Sequence, residues 1–108
     1  MIILVSKLLI RKGFNGIALW PFVILRKREM KEDAVMLNHE KIHLRQQIEM
    51  LVVLFYIWYG LEFFIRWIQY NNKHTAYRNI SFEREAYANE CNFQYIKQRR
   101  FWSFLKFI

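Results

Sequence analysis

The chain has 108 residues and a formal net charge of +8; hydrophobic residues make up 55% of it and aromatics 19%. That length fits one compact domain, residues 1–108, with a modest core, and that composition excludes a disordered chain. The single cysteine, Cys91, excludes an intrachain disulfide and a cysteine-rich zinc ribbon.

The first run, MIILVSKLLI, is apolar over its ten residues apart from Ser6 and Lys7, with no basic stretch before it, which makes a poor signal peptide. It suits a strand or a helix, and we read it as a strand. Gly13, Asn15 and Gly16 mark a turn. IALWPFVIL, residues 17–25, reads as a second strand, and Pro21, lacking an N–H, puts it on a sheet edge or at a bulge. Residues 26–33 form a charged connector ending in Asp33, a candidate N-cap. Helix formers then run to about residue 69, with Gly60 and the aromatic run leaving room for a break or bend within this length.

Within that helix, residues 50–61 carry no charge. Twelve residues fall short of the roughly 20 that a spanning helix needs, so a buried or interfacial helix is expected. Residues 71–79 are polar and turn-like. Residues 81–98 read as a second helix with Ser81 as its cap, and the tail RRFWSFLKFI packs back or touches a membrane. The sum is an α+β fold, mainly α.

The informative stretch is NHEKIHLRQQ, residues 38–47. Side chains four apart on a helix lie on one face, so His39 and His43 can aim their imidazoles at one ion. Glu40 is rotated by about 100°, close enough to reach a water on that ion without ligating it. This is the mechanical content of H-E-x-x-H: two zinc ligands and a general base. A third ligand must come from elsewhere. His74, Glu83, Glu85 and Glu90 lie downstream; Glu62 stands too far along the helix. A helical hairpin returns Glu83 and Glu85 to the histidines. Phe82, Ala86, Asn89, Phe93 and Ile96 form one helical stripe that Glu85 borders, while Glu83 lies further round.

H-E-x-x-H followed by a glutamate on a later helix resembles the gluzincin metallopeptidases, of which thermolysin is the best-known member. In that family the third ligand stands in E-x-x-A/S-D, with the aspartate supporting a zinc histidine. Glu83-Arg84-Glu85-Ala86-Tyr87 resembles the E-R-E-A-D form of small peptidase domains that also carry H-E-x-x-H-x-x-Q-Q, matched here at residues 39–47. That likeness favours Glu83 as third ligand, with Glu85 as the alternative. In the two registers the expected aspartate is Tyr87 or Asn89.

The resemblance implies a zincin-like fold, one Zn2+ per chain, and hydrolysis of a peptide or protein substrate with Glu40 as general base. It also implies a rim at residues 17–25 where an extended substrate pairs as an added strand. His74 and Tyr77 are candidates for steadying the oxyanion. Gln46 and Gln47 either brace the site or are surface helix formers. The alternative reading is a catalytically inactive zinc-binding or membrane-associated interaction module with the same fold. The basic balance also allows contact with an anionic membrane surface. Nucleic acid is not expected, because the basic residues are dispersed and no base-reading motif occurs. A cytoplasmic or membrane-associated location is expected.

Overall fold

A computed structural model describes residues 1–6, 8, 10 and 15–108. Three short strands open the chain: β1 (Ile2–Val5), β2 (Gly16–Leu19) and β3 (Phe22–Leu25). The order in the sheet is β1-β3-β2, with β3 parallel to β1 and antiparallel to β2. Residues 17–25 are therefore not one strand but a hairpin. Pro21 sits in its two-residue turn, after a cis Trp20-Pro21 bond, where a missing N–H costs no ladder bond. Gly13 lies outside the described residues, while Asn15 accepts from the Arg26 N–H and Gly16 begins β2. A Cβ on Gly16 would meet the Ile24 carbonyl at 3.2 Å and the Leu25 side chain at 3.3 Å, so a side chain here would push these neighbours back by a few tenths of an ångström.

After a 3-10 turn (Arg28–Glu32), α1 spans Ala34–Glu49, and the Asp33 side chain accepts from the Met36 N–H at its start. The next helix, α2, spans Val53–Tyr70 and leaves α1 at 112°. The break falls at Leu51 and Val52, both in the left-handed region with φ 55° and 62°, and not at Gly60, which lies inside α2. Among the described residues no single helix is long and apolar enough to cross a membrane.

Asn71, also left-handed, ends α2, and the Asn72 side chain caps a short α3 (Lys73–Arg78) where a turn was expected. The predicted helix over 81–98 is two pieces, α4 (Ser81–Asn89) and α5 (Tyr95–Gln98). Ser81 is the first residue of α4 rather than its cap. Glu62 reaches across from α2 instead, accepting from the Ser81 N–H and Oγ–H, each at 2.6 Å. The tail packs back as a 3-10 helix (Ser103–Phe107) that buries Phe104 completely.

The architecture is α+β and mainly α, and two clusters of buried apolar side chains stand out among the described residues. Ala18, Val23 and Leu25 of the sheet pack on Leu44 of α1. Met50, Phe55, Ile80, Phe82 and Phe104 form a second cluster where α2, α4 and the tail meet. Helix α4 is thereby pressed between α1 on one side and the C-terminal segment on the other.

Candidate metal centre

One turn of α1 separates His39 from His43, and α4 crosses opposite them with Glu83 in its first turn. The His43 Nε2 lies 3.2 Å from the His39 Nε2 and 2.9 Å from the Glu83 Oε1, and the His39 Nε2 lies 3.2 Å from the same oxygen. All three residues are buried. Zinc bonds of 2.0–2.1 Å at tetrahedral angles separate neighbouring ligand atoms by about 3.3 Å. The three atoms thus have nearly the spacing of one tetrahedral face.

The outer hydrogen bonds decide what those atoms present to each other. Gln46 donates its two N–H groups to the Phe82 carbonyl (3.1 Å) and the Glu85 Oε1 (2.9 Å), so its Oε1 can only accept. It accepts from the His43 Nδ1–H at 2.8 Å. The Glu90 carboxylate accepts from the His39 Nδ1–H at 2.7 Å. With a proton on each Nδ1, the neutral rings turn both Nε2 lone pairs toward an anionic oxygen. Three acceptors converge with no donor among them, an arrangement that calls for a cation or an extra proton.

The charges follow the same logic. Burial works against the His43 imidazolium, but Glu83 beside it prevails and holds its pKa at about 9. Burial likewise opposes ionisation of Glu83, yet His43 and then His39 keep its carboxyl well below the usual range. Glu40 moves the other way: burial raises it, and the two histidines only partly offset that. Tyr59 donates to the Glu83 Oε2 at 2.7 Å, and burial followed by Glu83 raises its phenol. One Glu83 oxygen is therefore held by Tyr59 while the other faces the histidines.

A cavity of about 330 Å3 opens beside this group, lined by β2, Glu40, His43, Phe55, Tyr56, Tyr59 and Tyr77. A second, of about 360 Å3, lies toward His39, Tyr87 and Glu90. Gly16, Glu40 and Tyr77 line both, so the Glu40 carboxyl stands where the two meet. Among the described residues, β2 is the edge strand that lines this cavity. β3 is the central strand, flanked on both sides, and leaves the expected rim at its Gly16–Leu19 half. Part of that edge is held within the chain. The Ala18 carbonyl accepts from the Gln47 Nε2 (2.8 Å) and the Tyr56 hydroxyl (3.0 Å), and the Trp20 N–H donates to the Gln47 Oε1 (2.7 Å).

His39, His43, Glu83 and Glu40 are thus brought together, whereas Glu85 is directed elsewhere. Its oxygens accept from Arg99, Tyr95 and Gln46, and Arg99 also pairs with Glu49. His74 is exposed beside Tyr77 and lines neither cavity. Tyr77 lines both. Both glutamines are buried; Gln46 bonds to His43, whereas Gln47 bonds to Ala18, Trp20 and Tyr56.

Sequence reasoning missed the use of Glu90, Tyr59 and Asn38. Position 87, where the aspartate was expected, carries Tyr87, whose ring meets His39 edge-on at 4.5 Å. Glu90 lies three residues further along, roughly one turn, and supplies the carboxylate. Asn38 holds that end of α4 by donating to the carbonyls of Asn89, Glu90 and Asn92. The Glu83-to-Glu90 spacing of two turns was the available signal. In comparisons with protein-family models, curated proteins and solved structures, the chain matches none.

Proposed function

We propose that the chain is a small zinc-dependent metallopeptidase of the gluzincin type, with His39, His43 and Glu83 as ligands. One observation carries the reading: three buried acceptors, each held from behind by a partner, converge at the spacing of a tetrahedral face. Their donor set, two imidazoles and a carboxylate, is one that zinc takes in hydrolytic sites. Bound there, zinc would supply a Lewis acid that polarises a peptide carbonyl and acidifies a water.

The chain's own groups supply the rest. Glu40 accepts the proton of the attacking water and returns it to the leaving amine; in the metal-free protein burial raises its pKa above the ordinary value. Tyr77, with its phenol raised by burial and then by Glu83, stays protonated and can donate to the developing oxyanion. The Gly16 end of β2 lies along the cavity, where an extended peptide can align. Phe55, Tyr56 and Tyr59 form an apolar wall that suits a large apolar substrate side chain.

Metal analysis and peptide digestion test this together. We expect one zinc per chain, lost in His39→Ala and His43→Ala, and cleavage of a mixed peptide pool that Glu40→Gln abolishes while keeping its zinc. A folded native chain that takes up no zinc would overturn the site. Zinc uptake without cleavage would reduce the protein to a metal-binding module. Cleavage surviving in Glu40→Gln would remove Glu40 from its role.

A further inference from the structure

Among the described residues nothing covers the outer face of α2. Val53, Ile57, Leu61, Phe64, Ile65 and Ile68 are all exposed, Ile68 to 84% and Leu61 to 62%. At about 100° per residue they fall on one stripe roughly 120° wide. Phe55 and Tyr59, which face the metal centre, lie on the opposite side of the helix. The stripe carries no charge, and the only charged residues of α2, Glu62 and Arg66, pair with each other off it.

The stripe continues onto the C-terminal segment. Ile57, Leu61 and Ile65 share an apolar groove of about 660 Å3 with Trp102 and Ile108. Phe101 and Leu105 are exposed on the same segment, flanked in sequence by the exposed Arg100 and Lys106. At the other end of α2, Lys73 stands over the Trp67 ring at 4.9 Å.

Charge indicates what covers this face. From Val53 onward the acidic residues are Glu62, Glu83, Glu85 and Glu90. Each is engaged inside the molecule, with Ser81 and Arg66, with the histidines and Tyr59, with Arg99, and with His39 respectively. Lys73, Arg100 and Lys106 face water. The result is a broad apolar stripe with cationic ends, and from Val53 onward no acidic side chain is exposed to oppose them. Apolar side chains in the acyl boundary with Trp, Lys and Arg at headgroup level are the pattern of a helix lying on a bilayer.

We propose that α2 and the C-terminal segment dock on the surface of an anionic lipid bilayer, α2 in the plane of the interface. The metal centre then faces away from the lipid, because its walls come from the opposite side of α2. Docking requires no helix to span the membrane.

Vesicle binding tests it, using the zinc-supplemented full chain. Vesicles of phosphatidylcholine alone are compared with equimolar phosphatidylcholine and phosphatidylglycerol. Each basic residue close to an anionic surface strengthens binding about fivefold, so the mixed vesicles should bind at least about tenfold more tightly. Leu61→Asp with Ile68→Asp should remove binding to both while far-UV circular dichroism and zinc content stay unchanged. Replacing Lys73, Arg100 and Lys106 by glutamine should erase the preference for anionic lipid and leave a weak residual affinity. Absence of native binding to both vesicles overturns the proposal. So does a solution dimer that Leu61→Asp dissociates and vesicles do not, since a second copy would then cover the face. Zinc content read on the same samples separates this result from failure of the metal site.

Discussion

Replacing Glu90 with glutamine leaves His39 a hydrogen-bond acceptor but removes the charge behind it. The contact is 2.7 Å, and the Glu90 side chain is 25% exposed, so water screens it only in part. A hydrogen bond to a charged group contributes about 1.5–3 kcal/mol and a neutral one about 0.5–1.5 kcal/mol. The difference, about 1 kcal/mol, corresponds to zinc binding about fivefold weaker in Glu90→Gln. Glu90→Ala also loses the orientation of the ring and should weaken binding about 10- to 100-fold. Tyr87→Asp in the Glu90→Ala background returns a carboxylate to the turn facing His39 and should recover part of the loss. Competition against a chromophoric chelator at fixed pH reads all three variants. A folded Glu90→Ala that keeps the native zinc affinity within about twofold would refute the claim that this carboxylate sets the basicity of His39.

Other outcomes follow from the same geometry. Glu83→Gln should lose zinc, whereas Glu85→Gln should keep one zinc per chain and lose stability; the reverse pattern would exchange their roles. Arg99→Ala leaves Glu49 and Glu85 buried without their partner and should cost about 3–5 kcal/mol in urea unfolding. In chelated protein, His43 has a pKa of about 9 against an ordinary 6.5. Its raised folded value contributes stability that is full below pH 6.5 and is lost as pH rises through about 9. The Tm of the chelated protein should therefore fall across that window, by an amount on the order of 10 °C, and His43→Asn should flatten the fall. Zinc uptake near pH 7.5 should release about one proton in an unbuffered titration.

The sequence made His39, Glu40 and His43 legible because a helix fixes their relation locally. It left Glu83 against Glu85 open for a physical reason. The stripe rule assumes a helix with one buried side, but α4 is buried on two, and both glutamates are inside. The stripe also ran through Phe93 and Ile96, past the end of α4 at Asn89. The corner after α1 was hidden because Leu51 and Val52 take left-handed angles with no glycine or proline to announce them. At the N-terminus, β1 pairs in parallel with a strand across the hairpin, a contact that local turn signals cannot specify. The cap of Asp33 and the stop at Asn71 follow short-range rules, although only the first was read from the sequence.

Glu83 and Glu85 stand two residues apart, and between them the chain divides its labour. Glu83 faces the histidines; Glu85 ties α4 to the C-terminal segment through Arg99. Gln46 touches both assignments, bonding to His43 and to Glu85 as a neutral amide that carries no charge from one to the other. The ionic tie that holds the fold is therefore complete without a metal. On the proposed reading the site should empty and reload without unfolding, unlike a small domain that assembles around its ion, and zinc occupancy would follow the supply of metal rather than the moment of folding.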